Sequence, residues 1–94
     1  MLEFHYSLYE KGAFYRKHLD QFQDNSSRQF SLISYLNLDW KIEDGGELCI
    51  YQEENIQKIS PTNGKTIFFK SNELLHEVLV TQKQRLSITG WLKR

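Results

Sequence analysis

Arg85-Leu86-Ser87-Ile88-Thr89-Gly90-Trp91-Leu92 alternates between two kinds of side chain with a period of two. A strand points successive side chains to opposite faces, so Arg85, Ser87, Thr89 and Trp91 share one face and Leu86, Ile88 and Leu92 the other. A face carrying Arg, Ser and Thr suits a strand that lines an occupied pocket. An unpaired guanidinium in the interior would cost several kcal/mol, so an inward Arg85 requires an anion. A carboxylate accepting two parallel hydrogen bonds is its natural partner.

The rest of the chain reads the same way, as short strands separated by turns with little helical periodicity. Leu2, Phe4, Tyr6 and Leu8 alternate with Glu3, His5 and Ser7, which predicts a half-buried strand. Further strands are expected over residues 13–18, 28–37, 47–52, 56–59, 66–70 and 76–80. Leu74, Leu75 and Val78 could line a helix, but the β-branched residues and the short break at Thr81-Gln82-Lys83-Gln84 favour a hairpin. Pro61-Thr62-Asn63-Gly64 is the strongest turn signal, with Asn-Gly placed for a tight hairpin connection. Eight strands in all predict an all-β double-stranded β-helix, or jelly roll, as a single domain over residues 1–94.

Composition removes several classes of function. Twelve acidic and twelve basic residues cancel, and no basic run with interleaved aromatics suggests a nucleic-acid stripe. No apolar run approaches the roughly 20 residues of a membrane helix, and the amino terminus lacks the pattern of a signal peptide. Cys49 is the only cysteine, so no internal disulfide framework can form, and a reducing cytoplasm is expected. Flanked by Leu48 and Ile50 with no basic neighbour, Cys49 reads as structural. Glu53-Glu54 reads as a solvated turn. No serine carries the glycine pattern of a nucleophile elbow, which argues against a hydrolase triad.

His18-Leu19-Asp20 carries more. At a strand end its two polar side chains would enter the same cavity, as a chelating pair must. His76 adds a second imidazole. Alone, each histidine is more commonly a surface or hydrogen-bonded residue, and His5 is given no metal role; an aspartate near a histidine often only orients the ring. Together, two imidazoles and one carboxylate form the ligand set of a non-haem Fe(II) facial triad with open coordination positions. Arg85, nine residues beyond His76 (85 − 76), suggests a carboxylate-bearing co-substrate.

These residues bring a known family into view. Phe14 to Asp20, Ser34 to Trp40, Asp44-Gly45-Gly46-Glu47-Leu48, Phe68 to Ser71, His76-Glu77-Val78 and Arg85 to Trp91 resemble, in order and spacing, the prolyl-4-hydroxylase family. Within it the chain looks closest to the bacterial and hypoxia-type prolyl hydroxylases, which are Fe(II)- and 2-oxoglutarate-dependent dioxygenases. The resemblance implies that His18, Asp20 and His76 ligate iron. It implies that Arg85 pairs with the distal carboxylate of 2-oxoglutarate and that Tyr35 hydrogen-bonds the same group. Tyr9 falls near another pocket tyrosine, although the turn after it differs in length, and Thr89 and Trp91 match pocket-lining positions. Hydroxylation of a residue, proline first, in a protein or peptide would follow, with succinate and CO₂ as co-products and ascorbate in support.

One departure stands out. Family members usually carry an amino-terminal extension that packs against the major sheet, and this sequence is expected to represent the barrel core without it. An uncovered sheet face predicts self-association into a homo-oligomer, or poor solubility. It also motivates an alternative reading, a truncated non-enzymatic jelly-roll module that binds metal or a protein partner without turnover.

Overall fold

The computed structural model describes residues 2–19 and 28–93, and within them the chain is almost entirely β-structure. Eight strands run in order: Leu2–Tyr9 (β1), Tyr15–His18 (β2), Arg28–Tyr35 (β3), Leu48–Gln52 (β4), Asn55–Ile59 (β5), Thr66–Phe69 (β6), Leu75–Val78 (β7) and Arg85–Lys93 (β8). The only helical element among the described residues is a 3₁₀ turn at Ile42–Asp44, and no described helix is long and apolar enough to cross a membrane. The strands form two four-stranded sheets, ordered β1-β8-β3-β6 and β2-β7-β4-β5, and every named pairing is antiparallel. This is the expected jelly roll.

Two expected hairpins are absent, for one topological reason. The Asn63-Gly64 turn is present, but it joins β5 in one sheet to β6 in the other. Its amides donate across to the β3 end instead, Asn63 to the Asn37 carbonyl and Gly64 to the Tyr35 carbonyl, each at 3.0 Å. Likewise the Thr81–Gln84 break carries the chain from β7 to β8 in the opposite sheet, so these strands do not pair. Among the described strands only β4 and β5 form a hairpin of consecutive strands, with Glu53 at φ 54° and Glu53-Glu54 exposed, as a solvated turn should be.

The sheets differ in quality. In the first, β1 pairs β8 over eight consecutive residues, from Leu2↔Leu92 to Tyr9↔Arg85, and β8 pairs β3 on its other side. In the second, β2 is a four-residue edge strand held to β7 at Tyr15↔Val78 and His18↔His76, with a register shift between them. The apolar core is compact: Leu48, Ile50 and Phe69 are buried, with Ile33, Ile59, Ile67, Leu74 and Val78 packed around them.

The polarity of the first sheet runs opposite to the usual pattern. In β1 it is the apolar set that faces solvent, with Phe4, Tyr6 and Leu8 exposed by 54%, 80% and 53%, while Ser7 and Tyr9 turn toward the other sheet and line a cavity. On the outer face the aromatics cover backbone and one another. The Phe30 and Phe68 rings stack at 5.1 Å, and the Phe4 ring lies on Gly90, where an added Cβ would come within 2.5 Å of it. Glycine is therefore needed opposite Phe4 for space. Gly90→Ala is expected to cost about 1–2 kcal/mol in urea unfolding, and much less in a Phe4→Ala background, where the ring no longer occupies the site.

Candidate active site

A cavity of about 240 Å³ lies between the sheets, and its lining follows the strand alternation on both sides. The first sheet supplies Ser7 and Tyr9 from β1, Ser31 and Ile33 from β3, Phe69 from β6, and Arg85, Ser87, Thr89 and Trp91 from β8. The second supplies Tyr15 and His18 from β2, Leu48 from β4, and His76 and Val78 from β7. The polar row expected on the last strand therefore does face the cavity. Arg85, Ser87 and Thr89 are all buried.

Arg85 is the most constrained group in this cavity. Only 3% of it is exposed. Its Nε–H donates to the Gly46 carbonyl at 2.8 Å and its Nη2 approaches the Tyr35 hydroxyl at 3.4 Å. The Tyr9 and Tyr35 rings each lie with their centroids 5.1 Å from the guanidinium carbon, a cation–π arrangement. Among the described residues no carboxylate forms an ion pair with it. The Gly45-Gly46 pair permits this approach. Both glycines have positive φ, and a Cβ on Gly45 would come within 2.6 Å of the Val80 carbonyl oxygen. The Gly46 amide also donates to that carbonyl, at 3.0 Å.

Tyr35 is fully buried beside Arg85. Burial pushes its phenol up to about 12, against an opposing pull from the neighbouring guanidinium. Tyr9 is raised for the same reason, again with Arg85 opposing. Both phenols therefore stay protonated as hydrogen-bond donors across physiological pH.

The facing sheet contributes two imidazoles. His18 and His76 are register partners across β2 and β7, with ring centroids 4.2 Å apart. Each holds its Nδ1 against a backbone carbonyl two residues earlier: His18 on Arg16 at 2.6 Å and His76 on Leu74 at 2.8 Å. A carbonyl can only accept, so Nδ1 is the donor and the neutral ring carries its lone pair on Nε2, the arrangement seen in metal-binding histidines. Tyr15 stacks on His18 at 4.0 Å, and the Phe69 ring meets His76 edge-on at 4.9 Å. Asp20 lies outside the described residues. Among those described, no group of three His, Cys, Asp or Glu side chains converges. The donor chemistry of the two imidazoles fits a divalent transition metal completed by one carboxylate.

The structure thus brings His18, His76, Arg85, Tyr9, Thr89 and Trp91 to one cavity, with Tyr35 buried against Arg85 beside it. His5 stays outside it, against Glu3 at 3.6 Å and edge-on to Trp91 at 5.1 Å. Three participants escaped the sequence reading: Tyr15, Phe69 and the Gly46 carbonyl. Strand alternation alone would put Tyr15, three residues before His18, on the opposite face; the register shift between them brings both to the cavity, and the Gly46 and Phe69 contacts join distant segments.

Comparison with known proteins agrees with this geometry. Residues 4–93 match the 2OG-Fe(II) oxygenase superfamily, and the chain belongs to that family. It is similar to a Pseudomonas putida prolyl-4-hydroxylase, with 42% identity and a TM-score of 0.92 over 99% of this chain and 52% of that one. A Trichoplax adhaerens prolyl hydroxylase, solved with a hypoxia-inducible-factor oxygen degradation domain peptide fragment, is 29% identical with a TM-score of 0.88, over 97% of this chain and 43% of that one. An uncharacterized PKHD-type hydroxylase of Synechocystis is 27% identical over 99% of this chain and 36% of its own length. The chain thus spans about half or less of these relatives.

The Tyr35 phenol gives a testable pH dependence. Its folded value of about 12 exceeds the ordinary 10.0, so the unfolded state loses its proton first and stability falls as pH rises from 10 toward 12. The urea midpoint of the wild type should therefore fall more steeply across that window than that of Tyr35→Phe. Parallel slopes would show that Tyr35 ionises equally easily in both states.

Proposed function

We propose that this chain carries the catalytic core of an Fe(II)- and 2-oxoglutarate-dependent dioxygenase that hydroxylates a residue, proline first, in a protein or peptide. The observation that carries the reading is the buried Arg85 guanidinium, without an internal carboxylate among the described residues, in the same cavity as the His18–His76 pair. One end of that cavity asks for an anion and the other for a metal. A dicarboxylate co-substrate that also chelates the metal satisfies both. Family membership supports the chemistry, and the peptide bound to the Trichoplax prolyl hydroxylase supports the substrate class.

In this reading His18, Asp20 and His76 hold the metal. When bound, Fe(II) supplies the oxygen chemistry that no side chain possesses. Arg85 binds the distal carboxylate of 2-oxoglutarate through its Nη groups, its Nε being committed to Gly46. The Tyr35 hydroxyl, protonated at working pH, accepts from Arg85 and donates its own hydrogen to the same carboxylate. Thr89 orients the chain of the co-substrate from the middle of β8. Ser87, Leu48 and Val78 close the walls and exclude water, so the charge pairing acts in a low dielectric. Trp91, half-buried at the far end of the same row, borders the approach of the substrate.

Ascorbate would support turnover by keeping the metal ferrous, and a reducing compartment such as the cytoplasm suits both iron and the single thiol. The apolar outer face of the first sheet, with Phe4, Tyr6, Leu8 and Phe68 exposed, favours self-association unless another segment or partner covers it.

The decisive assay is succinate formation from 2-oxoglutarate with Fe(II), ascorbate and a panel of proline-containing peptides. Turnover, coupled to a peptide or uncoupled, is expected. Its absence in folded, iron-loaded protein would leave only a binding module without turnover. In calorimetry, His76→Ala should abolish metal binding. Arg85→Ala should leave metal affinity within about two-fold while weakening 2-oxoglutarate by roughly 10- to 100-fold, the value of a charge-assisted pair.

A further inference from the structure

The outer face of the second sheet carries a side-chain strap directly behind the two imidazoles. His18, Ile50 and His76 are register partners across β2, β7 and β4, and the residues beside them point to the opposite face. These are Lys17, Tyr51 and Glu77. The Tyr51 hydroxyl donates to the Glu77 carboxylate, joining β4 to β7. The Lys17 ammonium sits 3.9 Å from the centroid of the Tyr51 ring, so the edge strand β2 reaches past β7 to β4.

This strap matters because of how weakly β2 is otherwise placed. It is four residues long, lies at the sheet edge and shifts register between Tyr15 and His18. A short, bulged edge strand has few ladder bonds to fix its lateral position. His18 is its last residue, and a chelating pair tolerates displacements of only a few tenths of an ångström. An ammonium over a tyrosine face is attractive in its own right. Donation from the Tyr51 phenol to a carboxylate makes that ring more electron-rich, so the two contacts reinforce one another.

We propose that Lys17, Tyr51 and Glu77 are positioning residues that set the His18–His76 separation from the outer face of the sheet and thereby tune metal affinity. The proposal rests on the reading of His18 and His76 as metal ligands, and its test separates the two. Co(II) is titrated into the protein, with affinity read by calorimetry and ligand geometry by d–d absorption. Lys17→Met is expected to weaken Co(II) binding about 10-fold, the scale of an outer-shell partner, and to shift the visible bands. Lys17→Arg should restore both, because a guanidinium also stacks on tyrosine. Tyr51→Phe keeps the ring and loses only the Glu77 bond, and should fall between wild type and Lys17→Met. Wild-type affinity and spectrum in Lys17→Met, or no rescue by Lys17→Arg, would overturn the strap. His18→Ala tests the ligand reading itself. If Co(II) binding survives that variant, the metal site fails, and the strap with it; if it is lost there but intact in Lys17→Met, only the strap fails.

Discussion

A buried guanidinium with no carboxylate paired to it among the described residues organises this molecule. Desolvating Arg85 costs several kcal/mol, and the structure offsets that only in part, through one backbone carbonyl, one long hydrogen bond and two aromatic faces. Everything near it is arranged to permit the approach. Gly45 and Gly46 occupy positive-φ positions against the Val80 carbonyl and the Arg85 side chain. The segment around Thr81 is tied both to Gly12 and Ala13 and to the Gly45–Gly46 turn. An apolar residue at position 85 would pack this floor more cheaply. In the proposed function, the arginine is one half of an ion pair whose other half is the carboxylate of a ligand.

The division of labour between the sheets follows from that requirement. The anion end of the cavity rests on β8, which is flanked by eight-residue strands on both sides. β1 pairs it without a break, and β3 pairs it continuously from Phe30 to Tyr35, its one register shift lying at the far end between Arg28 and Phe30. In the proposed function, this pairing holds the charge in place while ligands exchange. The imidazole end rests on the shorter, bulged sheet, where local bonds do the positioning. Each ring is pinned by an Nδ1–carbonyl contact two residues earlier, within β2 for His18 and just ahead of β7 for His76, and Tyr15 and Phe69 hold the rings from the side.

Much of this was legible in the sequence because strand alternation is a strict geometric rule. Arg85, Ser87 and Thr89 could be assigned to one face from their spacing alone, and the cavity bears that out. What spacing does not encode is which sheet a strand joins. Asn63-Gly64 has the chemistry of a hairpin turn, and Thr81–Gln84 the length of one, yet both cross between sheets. Turn residues fix local backbone angles, whereas partner choice depends on pairings from distant segments. In β1 the alternation separates Phe4, Tyr6 and Leu8 from the polar set but does not say which face turns inward, and it is the apolar one that points out. The usual equation of apolar with interior fails where the interior is a polar cavity. Asp20, the remaining member of the expected triad, lies outside the described residues, so the carboxylate rests on sequence alone.

That inversion has an energetic consequence. A sandwich normally gains its stability from apolar surfaces interleaved between its sheets. Here much of the space between the sheets is given to Arg85, Ser87, Thr89 and two histidines, and the buried apolar cluster shrinks to Leu48, Ile50 and Phe69 with their neighbours. Aromatic cover on the outer face, Phe4 on Gly90 and Phe30 on Phe68, recovers some burial at a surface still largely exposed. The folded chain therefore holds unspent interaction energy at two places, the anion end of the cavity and the outer sheet. A ligand that pairs with Arg85 binds only the folded state, so its binding free energy adds to stability by mass action. In the proposed function, ligand binding and stability are coupled through the same guanidinium, and a substitution that relieves the buried charge should strengthen the fold while weakening the anion site.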